Sequence, residues 1–269
     1  MATTIDPNEA VGKWFAVVKS LNEFDKIEIR NAVKKVSTPT RRDVCFGGSY
    51  YRTCTNIESI LSLKRVGDFQ AIAMIARSLF EIAVDIKLAA VTEASEEKIL
   101  TFVGLEKLRA AEKIVTFKEA NPEADVPAHI YQTFIKDNKD RITRDAKTHW
   151  QNNYVNVTHW SALNLEKRIK KLGTPFLTIY ALYYPQLSWY VHSGMTGVFN
   201  LQEEAFRLVA CEAFVITTEA YMVVLAEVIK HFQIDKANDK IMAMMRLAKM
   251  LPFTDGAAQA EELKCALLG

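Results

Sequence analysis

Tyr180, Tyr184, Ser188 and His192 recur four residues apart in YALYYPQLSWYVH, so on a helix a phenol pair, a hydroxyl and an imidazole form one slowly winding stripe. Such groups can pass protons, but they carry no fixed charge. A second stripe supplies one: Arg77 and Glu81 stand four apart in a segment that is apolar around most of its circumference. Set against each other, the two stripes make a polar pocket inside a helical bundle, with Glu81 as the carboxylate that orients the imidazole of His192 beside Ser188. The plainer arrangement also stays open. In it Arg77, Glu81 and Asp85 mark a solvent face, and the aromatic stripe is a core helix whose Ser and His bond locally. The chain has no nucleophile elbow around a serine, so the pattern of a serine hydrolase is incomplete.

A second candidate lies at Arg144–His149, RDAKTH, where an arginine precedes a histidine by five positions with a polar residue directly after the arginine. This resembles the R-x4-6-H motif of HEPN domains, helical bundles that in many bacterial toxins and defence proteins cut RNA without metal. The resemblance implies that His149 handles a proton during attack by the ribose 2′-hydroxyl while Arg144 steadies the phosphate. One departure stands out: HEPN motifs sit in the bundle's late helix, whereas this one ends where its helical pattern ends. Metal chemistry has little to build on. The five histidines, His129, His149, His159, His192 and His231, make no HExxH and no pair of ExxH elements, and no phosphate loop or dinucleotide fingerprint is present. No cofactor and no metal is expected.

The combination of ARSLFE at Ala76–Glu81, HWS at His159–Ser161 and Y-x4-P-x2-S-x3-H through His192 is similar to an uncharacterised family of bacterial helical proteins, over roughly Tyr51 to Ala226. Members of that family are sometimes found alongside mobile-element and phage-defence genes. The resemblance implies a helical fold and the pairing of the two stripes, and it transfers no reaction.

Long helices must position these groups. Only 10 Gly and 7 Pro punctuate 269 residues that are 49% hydrophobic, which favours helices over strands and turns. With 34 basic against 32 acidic residues, no global positive field recruits nucleic acid, although a local basic groove near Arg141, Arg144 and Lys147 would favour RNA. The scattered Cys45, Cys54, Cys211 and Cys265, and a start without the basic and apolar pattern of a secretion signal, point to a reducing cytoplasm. Leu208 to Ile229 is long enough to span a bilayer but carries Glu212, Glu219 and Glu227. It reads as a buried bundle helix, with no membrane role.

In chain order, Asp6-Pro7 opens a first helix with Val11, Trp14, Phe15, Val18 and Leu21 at helical spacing, and a second covers Asp25 to Val36. Ser37 to Gly48 reads as a loop from its Pro, Thr and paired Gly. Helices then follow over Ser49–Arg65, Phe69–Val91, Ser95–Ala120 and Pro127–His149, with a polar, β-branched connector between Trp150 and Trp160. Ser161 caps a short helix to Leu172, and Thr174-Pro175 opens the helix carrying the aromatic stripe, kinked at Pro185. Asn200 with Glu203 makes a capping box for a helix to Phe232, and another runs near Asp239 to Met250. The fold expected is an all-α multi-helix bundle with long antiparallel helices: an arm and loop over 1–48, the main bundle over 49–250 and a tail over 251–269. Two functions fit this pattern. One is a cytoplasmic defence- or toxin-type protein acting on RNA through a polar intrabundle site. The other is a non-enzymatic interaction module (antitoxin, sensor or regulatory subunit) that binds a protein partner or a second copy of itself.

Overall fold

The computed structural model describes residues 7–63, 66–191 and 203–234, and among them every regular element is helical. The expected all-α bundle is what forms. Helix α1, Pro7–Phe24, buries Val18, Leu21 and Phe24 along one stripe. Asp25 continues that stripe by spacing, at i+7 from Val18 and i+4 from Leu21. The chain there widens into a single π-helical turn, Asp25–Ile29, before resuming as α2, Arg30–Lys34, so one expected helix is two short pieces.

The predicted loop over Ser37–Gly48 is a correction. Helix α3 already starts at Arg41 and runs to Ser62, across the expected boundary at residue 48. Its start is fixed by Thr40, whose hydroxyl accepts from the Asp43 amide at 3.1 Å while the Asp43 carboxylate accepts from the Thr40 amide at 2.7 Å. Gly47 and Gly48 thus lie inside a helix, where a Cβ would meet nothing within 4 Å. They are held in helix not by propensity but by packing, because Phe46, Tyr50, Cys54, Ile57 and Ile60 form one buried seam.

After a short turn at Val66–Asp68 come α4, Phe69–Val91, and, across the sequence, α10, Glu203–His231, which pack along each other. Small residues allow the approach: Ala73, Ala76 and Ala83 on α4 and Ala210, Ala213 and Ala220 on α10 are all 3% exposed or less. Within α10, Leu208–His231 is long and apolar enough to cross a membrane, with mean hydropathy 1.8, but 67% of that window is buried inside the bundle. Its Glu227 is 6% exposed and ion-paired to Lys87 of α4.

The chain groups into two units, one of residues 1–91 and 169–269, the other of Thr92–Arg168. In the second unit α5, Ser95–Ala120, and α6, Ala128–Trp150, enclose Leu105, Leu108 and Ile142, with Phe134, Ile135, Trp150 and Tyr154 around them. The polar connector is a 3-10 turn, Gln151–Asn156, followed by an extended Val157 and a turn in which the Ala162 amide donates to the His159 carbonyl at 2.8 Å. Helix α7, Leu165–Leu172, starts later than expected because its cap is Asn164, not Ser161: the Asn164 side-chain oxygen accepts from the Lys167 amide at 2.9 Å. Gly173, at φ +91°, ends it in a conformation open to glycine.

The helix expected to kink at Pro185 is divided into α8, Thr174–Leu182, and α9, Tyr184–Val191. Pro185 has no amide proton for the carbonyl of Ala181 and its ring crowds that carbonyl, so the chain leaves the helix at Tyr183, φ −118°, and restarts with Pro185 in the first turn. His192, Asn200 and the segment 235–269, with the helix expected near Asp239–Met250, lie outside the described residues.

Candidate functional site

Helices α4 and α9 bring three of the candidate residues into one closed ring. The Arg77 Nε–H is shared between Glu81 Oε1 and the Tyr184 hydroxyl oxygen, each at 3.0 Å, and the Tyr184 hydroxyl donates to Glu81 Oε1 at 2.7 Å. The Arg77–Glu81 pair follows from i,i+4 spacing on α4, while Tyr184 reaches it because the restart at Pro185 fixes the first turn of α9 against α4. The guanidinium also lies over the Tyr184 ring, 5.0 Å from its centre. Phe80 packs 5.7 Å from the same ring and Tyr180 5.2 Å from it.

Burial of Tyr184, then its bond to Glu81 and the Glu81 charge, raise the phenol above its usual range against the pull of Arg77, so it stays protonated at neutral pH. Burial works against the Arg77 charge, but Tyr184 and Glu81 outweigh it and raise its pKa. Glu81 Oε2 makes no hydrogen bond among the described residues, and the Glu81 side chain keeps 38% of its exposure. The ring therefore combines a carboxylate with an open oxygen, a cation and a protonated phenol.

Ser188 does not join the ring: its hydroxyl donates to the Tyr184 carbonyl at 2.9 Å, one turn back on its own helix. The meeting of Arg77 and Glu81 with His192 lies outside the described residues. Arg144 and His149 sit five apart on α6, which turns their side chains about 140° from one another. Arg144 is exposed, 3.8 Å from Asp145, and the His149 ring stands edge-on to Trp150; no bond joins the two. Arg141 also reaches Asp145, at 3.7 Å, and Lys139 pairs with Glu112 at 2.9 Å, so acids interleave the bases of this helix.

Two further polar clusters were not singled out by spacing. The first surrounds Asp25, which has no exposure: its carboxylate accepts from Tyr50, from Cys54 at 3.5 Å and from Arg30 at 3.3 Å, and Arg30 continues to Glu58 at 2.8 Å. Burial, followed by the Asp25 charge, pushes the Cys54 thiol up to about 12 and raises Tyr50 and Tyr221 as well. Such a thiol is no nucleophile. The legible signal was a carboxylate continuing the apolar stripe of α1. The second is in the HWS motif, where Arg168 Nη1 faces His159 Nε2 at 3.1 Å and His159 Nδ1 faces the Ser161 hydroxyl at 2.8 Å. Nδ1 also lies 3.2 Å from the Ser161 amide nitrogen, so the imidazole sits between the Arg168 guanidinium on one side and both polar groups of Ser161 on the other.

Residues 43–205 match the model of a family of unknown function, DUF5677. The chain belongs to that family. No curated protein and no solved structure matches it. The span shared with DUF5677 includes the Arg77–Glu81–Tyr184 ring and the His159–Ser161–Arg168 cluster, while Asp25 and Tyr221 of the buried cluster lie outside it.

Proposed function

We propose that the chain is a cytoplasmic bacterial protein of the defence or toxin type that cleaves RNA without metal at the Arg77–Glu81–Tyr184 ring. The observation behind this reading is the sharing of the Tyr184 hydroxyl between Arg77 and Glu81 across two helices. Attack by a 2′-hydroxyl needs a base for its proton, a cation for the phosphate and an acid for the leaving oxygen. Glu81 through its open oxygen, Arg77 and Tyr184 fill these roles in that order. Ser188, one turn along α9, and His192, which lies outside the described residues, are tested with the ring, and Arg144 and His149 on α6 are a separate candidate RNA contact. The test is cleavage of labelled RNAs of varied sequence in the presence of a chelator. Wild-type protein cuts, and Glu81→Gln lowers the rate by about 10²- to 10⁴-fold. Tyr184→Phe, His192→Ala and His149→Ala apportion the remainder. Absence of cleavage with every RNA, or equal rates in wild type and Glu81→Gln, overturns the reading.

One observation favours a second reading: within the ring each group already satisfies another. In that case the ring fixes how α9 seats on α4, and the chain is a non-enzymatic module, an antitoxin, sensor or regulatory subunit, that binds a protein partner or its own copy. A specific complex of defined mass that forms equally well with Glu81→Gln supports it.

A further inference from the structure

We infer that Tyr180 is a stacking platform for one unpaired nucleobase beside the Arg77–Glu81–Tyr184 ring, which makes single-stranded RNA the form the site accepts. The inference rests on the RNA-directed reading above. Tyr180 lies on α8, across the break at Tyr183, and its ring meets that of Tyr184 at 5.2 Å and 31°. Tyr184 has three planar neighbours, the Arg77 guanidinium 5.0 Å from its ring centre, Phe80 and Tyr180, and Tyr180 is the one that is neither part of the hydrogen-bonded ring nor buried. The inner aromatics are closed off: Phe80 is 1% exposed and Phe176 8%. Tyr180 is only half-buried, and the residues that follow it, Ala181 and Leu182, are exposed.

Charge points the same way. Arg77 and Glu81 form an ion pair, so the ring offers a phosphate backbone little net attraction, and affinity must come from another source. A phenol face supplies it by stacking, which every base can use and which needs a base free of its neighbours. In a duplex both faces of each base are already covered.

The experiment is fluorescence anisotropy of the full-length protein with a labelled 2′-O-methyl RNA twelve-mer, single-stranded or annealed to its complement. This probe has no 2′-hydroxyl and reads binding alone. The single strand binds more tightly than the duplex, Tyr180→Ala weakens it roughly 10-fold, and Tyr180→Trp retains it. Thermal melting checks that both variants fold. Unchanged single-strand affinity in Tyr180→Ala, equal affinity for the duplex or no binding by wild type overturns the platform. The two proposals separate cleanly. Cleavage by wild type with a silent Tyr180→Ala removes the platform and leaves the nuclease, while the Tyr180 binding pattern without cleavage does the reverse.

Discussion

His231, in the last turn of α10, meets Asp43, in the first turn of α3, with Nε2 and Oδ1 2.7 Å apart. The imidazole also stacks on Phe46, ring centres 4.3 Å apart. Asp43 thus serves twice, as the capping partner of Thr40 and as the anchor for the end of α10. Thr40, then His231, hold its carboxyl below the ordinary aspartate range against the effect of burial. A lowered folded pKa contributes stability above the unfolded value of about 4, and this is lost as pH falls through the folded one. Thr40→Ala should cost about 1 kcal/mol at neutral pH in urea unfolding, with the difference from wild type shrinking in acid below about pH 4. A difference that holds constant into acid would rule out this coupling.

The buried carboxylate at Asp25 predicts a larger effect. Asp25→Ala leaves Tyr50, Cys54 and Arg30 without their acceptor in a place water does not reach, and should cost about 3 to 5 kcal/mol. Chemical denaturation measures it, and a loss under 1 kcal/mol contradicts the description of the cluster.

The same cluster sets behaviour in alkali. Cys54, Tyr50 and Tyr221 are all shifted upward, so their contribution is complete below the unfolded thiol and phenol values, about 8.5 and 10, and is lost as pH rises. Stability should therefore fall from about pH 9 upward. Tyrosinate absorbance is expected to lag behind that of free tyrosine until the fold gives way. Titration at an ordinary phenol pKa by every tyrosine in the folded protein would refute this.

At the candidate site, Tyr184→Phe removes one hydroxyl and two bonds while keeping the ring under Arg77. It should cost about 1 kcal/mol, and a double-mutant cycle with Glu81→Gln should show coupling of about 0.5 to 1.5 kcal/mol. Additive losses would mean that the two side chains do not share a proton in solution.

Arg109 gives a prediction about the connector. Its guanidinium donates to the carbonyls of Val157 at 2.7 Å, Tyr154 at 2.9 Å and Val155 at 3.0 Å. Arg109→Lys cannot reproduce that fork, so limited proteolysis should cut within 151–157 faster than in wild type. Equal cleavage rates argue that the connector is held by other means.

Most helices were legible in the sequence because their caps and apolar spacing agree: α4 and α5 have the expected ends, and α6 differs by one residue at each. The errors fall where local and tertiary preferences conflict. Gly47-Gly48 signals a loop locally, and only the seam from Phe46 to Ile60 overrides it. The π turn at Asp25 has no composition of its own. At the site, i,i+4 spacing exposed Arg77 and Glu81, and the four-residue stripe named Tyr184. Neither spacing could say that Ser188 would turn to its own helix, nor that Arg109, more than forty positions away, would hold the connector. Such pairings are made by topology, and no short-range pattern records them.

The paired glycines of α3 have a dynamic consequence. A helix whose first two turns contain Gly-Gly has little intrinsic reason to persist once its cap and the His231 anchor release, so α3 should open from its N-terminal end while the seam around Cys54 and Ile57 stays closed. Amide hydrogens at 45–49 should then exchange through local fraying, and those at 54–60 only through global unfolding. The residue that clasps α10 thereby also governs how often the start of α3 comes undone.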